Sequence, residues 1–221
     1  MTTIAIIGAG PGLGQAAARR FGLEGFSVAL ISRTRENVDR LAGELAAEGI
    51  TARGYAADVR DPQRLRAALD AAARELGRIE VLQYSPVPAK EFMTPVLETT
   101  AEDLVGPIEQ SVYGPVAAVQ QVLPGMRALG RGTILLINGG SAVTPNGNVA
   151  GTSIAFAGES AYGPMLHDAL APEGIHVAQL IIPRGIGGGE PDHEPDALAE
   201  RIVSLHRGRG PFRSFVGDAS S

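Results

Sequence analysis

Thr3-Ile4-Ala5-Ile6-Ile7-Gly8-Ala9-Gly10-Pro11-Gly12-Leu13-Gly14 is the stretch from which the rest of the chain is read. A β-branched run enters a glycine-rich turn, and an Ala-rich amphipathic segment, Leu13 to Leu23, leaves it. Glycine permits the tight reversal. Its missing side chain also lets a pyrophosphate approach the amides at the start of the next helix, where the helix dipole favours negative charge. A tight turn without a ligand would use the same residues. A second strand at Ser27 to Ser32 completes a βαβ unit, the context in which such a turn binds a dinucleotide. Gly8, Gly10, Gly12, Leu13 and Gly14 are therefore the first candidate cofactor contacts.

Outward from that unit, short apolar runs alternate with longer amphipathic ones. Strands are predicted at Thr51 to Ala56, Val81 to Tyr84, Thr133 to Ile137 and His176 to Ile182, with a last short one at Arg213 to Val216. Helices are predicted at Arg35 to Glu48, Pro62 to Leu76, Ile108 to Leu129, Gly151 to Leu170 and Pro195 to His206. This is an α/β pattern: a doubly wound, Rossmann-like parallel sheet of about seven strands with helices on both faces. Asp61-Pro62 reads as a helix N-cap followed by proline at the first helical position, and Gly77 closes that helix. Pro164 is expected to kink or break the helix that contains it.

The chain has 221 residues, no cysteine and a formal net charge of −5 with both signs mixed along it. One nucleotide-binding domain over residues 1–221 is expected, large enough to need neither disulfide nor metal. Lack of cysteine excludes a thiol nucleophile or thiolate zinc site and is compatible with a reducing cytoplasm. No basic face marks a nucleic-acid partner, and no apolar stretch approaches the length of a membrane span. The first apolar run follows no basic region and leads straight into the glycine turn, so it reads as a strand rather than a signal peptide.

The second strand ends Ile31-Ser32-Arg33-Thr34, where an NAD-preferring site places an acid for the ribose hydroxyls. No acid occurs before Glu36. Ser32, Arg33 and Thr34 suit a 2′-phosphate instead, because guanidinium binds phosphate through paired donors. A solvated arginine at a strand end is the alternative; with the glycine turn beside it, NADP(H) is the expected cofactor.

These features resemble the short-chain dehydrogenase/reductase family over nearly the whole chain. Gly8, Gly12 and Gly14 match its spaced turn, with Ile7 in place of the usual threonine. Ala57-Asp58-Val59 matches its adenine-contacting pair, Asp58 and Val59. Ile79-Glu80-Val81-Leu82 matches the approach to its fourth strand, and Leu170 to Val177 the entry to its sixth. Pro183-Arg184-Gly185 stands where the family has a Pro-Gly turn beside the nicotinamide, which adds Pro183, Gly185 and Ile186 to the implied contacts. Tyr84-Ser85-Pro86-Val87 replaces its Asn-Asn-Ala-Gly loop and adds Tyr84 and Ser85.

The catalytic positions depart from the family. Its proton-donating tyrosine and the lysine one turn later fall at Thr152 and Phe156, its helix asparagine at Ser111, and its serine near Gly139 within Asn138-Gly139-Gly140-Ser141. Tyr84, Ser141 and Thr152 are the candidate replacements, Tyr84 because strand carboxyl ends face the ligand crevice. Tyr162 lies ten residues past Thr152, about 15 Å along the helix and about 80° around it, and reads as a packed or interfacial tyrosine rather than as the proton donor. His193, between Asp192 and Glu194, is open to acid–base work, to a stray cation or to no role.

The resemblance implies an NADP(H)-dependent oxidoreductase acting on a small, largely apolar carbonyl or enone with atypical proton delivery. A non-redox cyclase, dehydratase or isomerase on the same fold, or a silent NADP-binding sensor, are the alternatives. The Gly/Ala/Ser-rich helix Gly151 to Leu170, with little outward charge beyond Glu159 and Asp168, is expected to pair between copies in a homo-oligomer, a dimer or tetramer; packing on its own sheet alone is the alternative.

Overall fold

The computed structural model describes residues 2–208 and 210–217; the rest of the expected domain lies outside the described residues. In chain order the elements are β1 (Thr3–Ile7), α1 (Leu13–Leu23), β2 (Ser27–Ser32), α2 (Arg35–Ala47), β3 (Ala52–Ala56), α3 (Pro62–Leu76) and β4 (Ile79–Tyr84). After them come α4 (Val105–Ile108), a π-helical turn (Glu109–Tyr113), α5 (Gly114–Leu129), β5 (Gly132–Gly139), α6 (Ala150–Leu170), β6 (Ile175–Ile182), α7 (Pro195–Arg207) and β7 (Arg213–Phe215). Seven strands form one sheet in the order β3-β2-β1-β4-β5-β6-β7, and every pairing is parallel. The sequence direction of the sheet reverses between β1 and β4, which opens a crevice beyond their carboxyl ends.

Strand alternation builds two cores. Ile4, Ile6, Val28 and Leu30 turn toward α1, α2 and α7. Ala5, Ile7, Ala29 and Ile31 turn the opposite way, toward α3 and α5. Because both faces are covered, β6 is buried at every position, so its sequence shows an apolar run rather than an alternation.

Two helices differ from the sequence reading. The segment expected as one helix from Ile108 to Leu129 is α4, a π-helical turn and α5. Pro164 does not break α6, which runs from Ala150 to Leu170. Proline removes the amide that would bond the Ser160 carbonyl four residues earlier. The Nη2 of Arg213, on β7, stands 3.4 Å from that carbonyl and supplies a donor from outside the helix.

The outward face of α6 carries Ile154, Ala157, Ala161, Met165 and Asp168. Glu159, expected on that face, is 1% exposed and turned inward. It lies seven residues past Thr152 and three past Phe156, and helical geometry puts all three on one side.

Asp61 caps α3 by accepting from the amides of Gln63 and Arg64, each at 3.1 Å. Asp61→Ala is expected to lower stability by about 1 kcal/mol, seen as a lower urea midpoint at unchanged slope. An unchanged midpoint would show that the cap adds nothing beyond hydration of the free amides.

Candidate functional site

A cavity of about 490 Å³ lies at the crevice between the carboxyl ends of β1, β4, β5 and β6. Gly8, Gly10, Gly12, Leu13 and Gly14 form one wall. Gly8 has φ +89°, and a Cβ on it would stand 2.6 Å from the backbone of Ser85 and Pro86. Left-handed backbone and a direct backbone contact both require glycine there. Gly10 and Gly12 differ: nothing lies within 4 Å of where their Cβ atoms would be. The N-cap of α1 is Gly12, no side chain caps the helix, and its first turn carries no acid. Open amides, positive dipole and free space together fit the pyrophosphate of a dinucleotide.

Ser32 is half-buried at the end of β2, and Arg33 and Thr34 are exposed after it. Thr34 begins α2 as an N-cap whose side chain makes no capping bond. Asp58 and Val59 follow β3; Asp58 accepts from the amide of Arg60 at 3.0 Å, and Val59 is buried. All five stand at the ends of β2 and β3, beyond the lining of the main cavity on its β1 side.

At the other end the structure brings Ser85, Ser141, Thr152 and Ile186 into the cavity lining. Pro183 and Gly185 are exposed outside that lining. Thr152 and Phe156, on successive turns of α6, both line it. The Thr152 hydroxyl oxygen is buried and has no hydrogen-bond partner among the described residues. Pro86, Val87, Met93, Val149 and Ile182 make the remaining wall largely apolar. Met93 and Val149 come from connecting segments with no periodicity to mark them. Arg184, the charged residue of the lining, pairs with Glu190 at 2.8 Å.

Tyr84 is not in the cavity. It is 2% exposed, packs in the core on the α3 and α5 side of the sheet, and donates its hydroxyl hydrogen to the Gln110 carbonyl. Burial raises its pKa well above the ordinary phenol value, with the charges of Glu159 and Asp58 adding to it. The expectation of a crevice-facing Tyr84 fails because the residue points across the sheet rather than beyond the strand end, into a space that Gly114 leaves free. Tyr162 packs half-buried against the same core. His193 is 3% exposed, lies 3.4 Å from the Glu190 carboxylate and is absent from the main lining. Among the described residues no group of three or more His, Asp or Glu could hold a metal ion.

Behind the cavity wall runs a buried polar chain. Arg213 Nε donates to Gln179 Oε1 at 2.7 Å, and Gln179 Nε2 donates to Asn138 Oδ1 and to Ser160 Oγ, each at 2.8 Å. Asn138, itself a lining residue, bonds Glu159. Burial pushes the Glu159 carboxyl up to about 8, against the lowering effect of the Asn138 bond. The sequence signal for this inward carboxyl is its helical spacing from Thr152 and Phe156.

Comparison with known proteins agrees with this geometry. A family model described as short chain dehydrogenase matches residues 2–186. The short-chain reductase protein NovJ of Streptomyces niveus is 30% identical over 199 residues, covering 89% of this chain and 72% of NovJ. D-threitol dehydrogenase of Mycolicibacterium smegmatis is 31% identical over 130 residues, covering 59% of this chain and 49% of its own. The chain thus spans about half the length of that relative. The crystal structure of a short-chain dehydrogenase from Rhodopseudomonas palustris superposes with a TM-score of 0.86 at 27% identity, covering 98% of both chains. A metagenomic short-chain oxidoreductase in complex with NADP superposes at 0.83 and 23% identity, covering 97% of this chain and 95% of that one, a likeness of fold. Among the described residues no helix is long and apolar enough to cross a membrane.

Glu159 gives a pH test of the buried chain. The folded carboxyl keeps its proton to about pH 8, whereas the unfolded one releases it near 4.5. Below pH 4.5 both states are neutral there and Glu159 carries no ionisation penalty. As pH rises from 4.5 to 8 the penalty grows, and it is complete above 8. Glu159→Gln, neutral throughout, is therefore expected to gain stability relative to the parent across that window, measured as the difference in denaturation midpoint against pH. A difference independent of pH would show that Glu159 is ionised in the folded protein.

Proposed function

This chain belongs to the short-chain dehydrogenase family, and from that premise we propose that it is an NADP(H)-dependent oxidoreductase acting on a small, largely apolar carbonyl or enone compound. The observation that supports this most is the continuity of the cavity. Gly10 and Gly12 at one end and Thr152, Phe156 and Ile182 at the other line a single space of about 490 Å³, which joins the glycine turn to the apolar end. When bound, the cofactor supplies or accepts hydride. The protein's own residues do the rest. The α1 amides and the bare faces of Gly10 and Gly12 hold the pyrophosphate, and Ser32, Arg33 and Thr34 hold a 2′-phosphate. Pro86, Val87, Phe156 and Ile182 exclude water from the reacting end and orient an apolar substrate by shape.

Thr152 and Ser141 bring hydroxyls to that end and hydrogen-bond the substrate oxygen. Neither is acid enough to replace the tyrosine that the family places at position 152, and Phe156 provides no charge to lower a neighbour's pKa. Proton delivery then falls to water or to a group outside the family pattern. Loss of a positioned acid costs typically 10²–10⁴-fold in rate. Reduction of an enone, where hydride goes to carbon and protonation can follow separately, tolerates that loss better than reduction of a ketone.

We place the protein in the cytoplasm as a homo-oligomer, with the apolar outward face of α6, Ile154, Ala157, Ala161 and Met165, as the seam between copies. A charge there, as in Ala161→Arg, is expected to give a monomeric mass in sedimentation; an unchanged mass would put the seam elsewhere.

The function is tested by cofactor titration and turnover together. The parent protein is expected to bind NADPH more tightly than NADH, and Arg33→Asp to reverse or erase the difference, since a charge-assisted contact contributes about 1.5–3 kcal/mol. NADPH absorbance should fall with an apolar enone. Equal cofactor affinities in the parent would contradict the NADP(H) assignment. Turnover of substrate without NADPH consumption would favour a non-redox reaction, and binding without any turnover a sensor.

A further inference from the structure

Asn37, in the first turn of α2, joins two parts of the nucleotide site. Its Nδ2 stands 3.0 Å from the carbonyl oxygen of Ala9, inside the glycine turn, and 3.2 Å from Oγ of Ser32, the last residue of β2. A carbonyl oxygen only accepts, so the amide nitrogen must face Ala9 and the two ends of the side chain are not interchangeable. One N–H hydrogen serves each acceptor. The outer oxygen, Oδ1, faces Arg40 Nη2 at 3.4 Å. Ser32 Oγ thus receives a bond, and its own hydrogen is left to donate; among the described residues it donates to no acceptor.

The chemistry of the two cofactors differs at this point. An NAD-type ribose offers a 2′-hydroxyl whose hydrogen seeks an acceptor, normally a carboxylate. A 2′-phosphate offers acceptors to surrounding donors. With Asn37 donating into one lone pair of the Ser32 oxygen, the Ser32 hydrogen is turned away from Asn37 and stays available to an acceptor, and neighbouring Arg33 presents only donors. We propose that Asn37 is a specificity-determining positioning residue: it sets the Ser32 hydroxyl as a donor and so selects the 2′-phosphorylated nucleotide, while its bond to Ala9 fixes the glycine turn for either nucleotide. This rests on the reading that the end of β2 holds the 2′-phosphate. The helix supplies the precision, since Asn37 sits one turn from the N-cap Thr34 and its backbone cannot drift with the loop.

The test needs no substrate. Adenosine 2′,5′-bisphosphate and 5′-AMP are titrated calorimetrically into the parent, Asn37→Ala, Ser32→Ala and the double variant. The parent prefers the bisphosphate. Asn37→Ala lowers the preference about three- to tenfold, the span of one net hydrogen bond, with a smaller loss for AMP. In the Ser32→Ala background the same change leaves the preference where Ser32→Ala alone put it. Alanine is a better helix former than asparagine at this position, and Asn37→Leu, which keeps the volume, gives the same ratio. Equal losses for both nucleotides would overturn the proposal, leaving Asn37 as a clip for the turn and the 2′-phosphate reading intact. A parent that binds both nucleotides equally would overturn that reading and, with it, any preference for Asn37 to set.

Discussion

The structure depends on one close approach, that of the Gly8 backbone to the chain leaving β4 at Ser85 and Pro86. A single methyl group on Gly8 would fall 2.6 Å from that backbone. The approach is tied by three backbone bonds, from the strands on either side of β1. The Ser85 amide donates to the Ile7 carbonyl at 2.9 Å, while the amides of Gly8 and Ala9 share the Ile31 carbonyl at 2.9 and 3.0 Å. The ends of β1, β2 and β4 are thereby tied together at the point where the strand order reverses, so the glycine turn and the apolar end of the cavity hold a fixed relation. The turn is shaped by the need to pass under β4 as much as by its ligand. At Gly10 and Gly12, by contrast, nothing lies within 4 Å of where a Cβ would stand, so their bareness leaves room for a ligand.

From that turn the site divides by chemistry. The end of β2, at Ser32, Arg33 and Thr34, is polar, open and rich in donors. The far side is apolar, and its helix α6 puts a hydroxyl, an aromatic ring and a buried carboxyl on one face at Thr152, Phe156 and Glu159. Phe156 lines the cavity without bringing a polar group to it, and the polar resources lie behind the wall, in the chain from Arg213 through Gln179 and Asn138 to Glu159. Asn138 is the link between the two, since it lines the cavity and is bonded from behind at both ends of its amide. A wall held this firmly suits recognition by shape.

Much of this was legible in the sequence, and the reasons are local. β1, α1, β2 and α3 are bounded by strong signals, glycine turns and an Asp-Pro cap, and the structure places them at the expected residues. β4 and β5 extend past their predicted ends because strands buried on both faces lose the alternation that marks a boundary. The fate of Pro164 could not be read from its own neighbourhood, because its compensation comes from Arg213, far along the chain. Tyr84 departs from its expected place for a related reason: its position at a strand end is local, but the side it turns to depends on the gap opposite at Gly114. Asn37 carries no signal in the sequence, because an asparagine in the first turn of a helix is ordinary until Ala9 and Ser32 stand on either side of it.

The central claim is that the glycine turn and the apolar end are two halves of one dinucleotide-and-substrate cavity. A crystal structure of the protein grown with NADPH tests it most directly. The account requires the pyrophosphate over Gly10 and Gly12 against the start of α1, the 2′-phosphate at Ser32 and Arg33, and the nicotinamide within the cavity between Ile182 and the Thr152–Phe156 face of α6. A nucleotide lying elsewhere on the molecule, or one whose nicotinamide is turned out of that cavity in every copy, would contradict it.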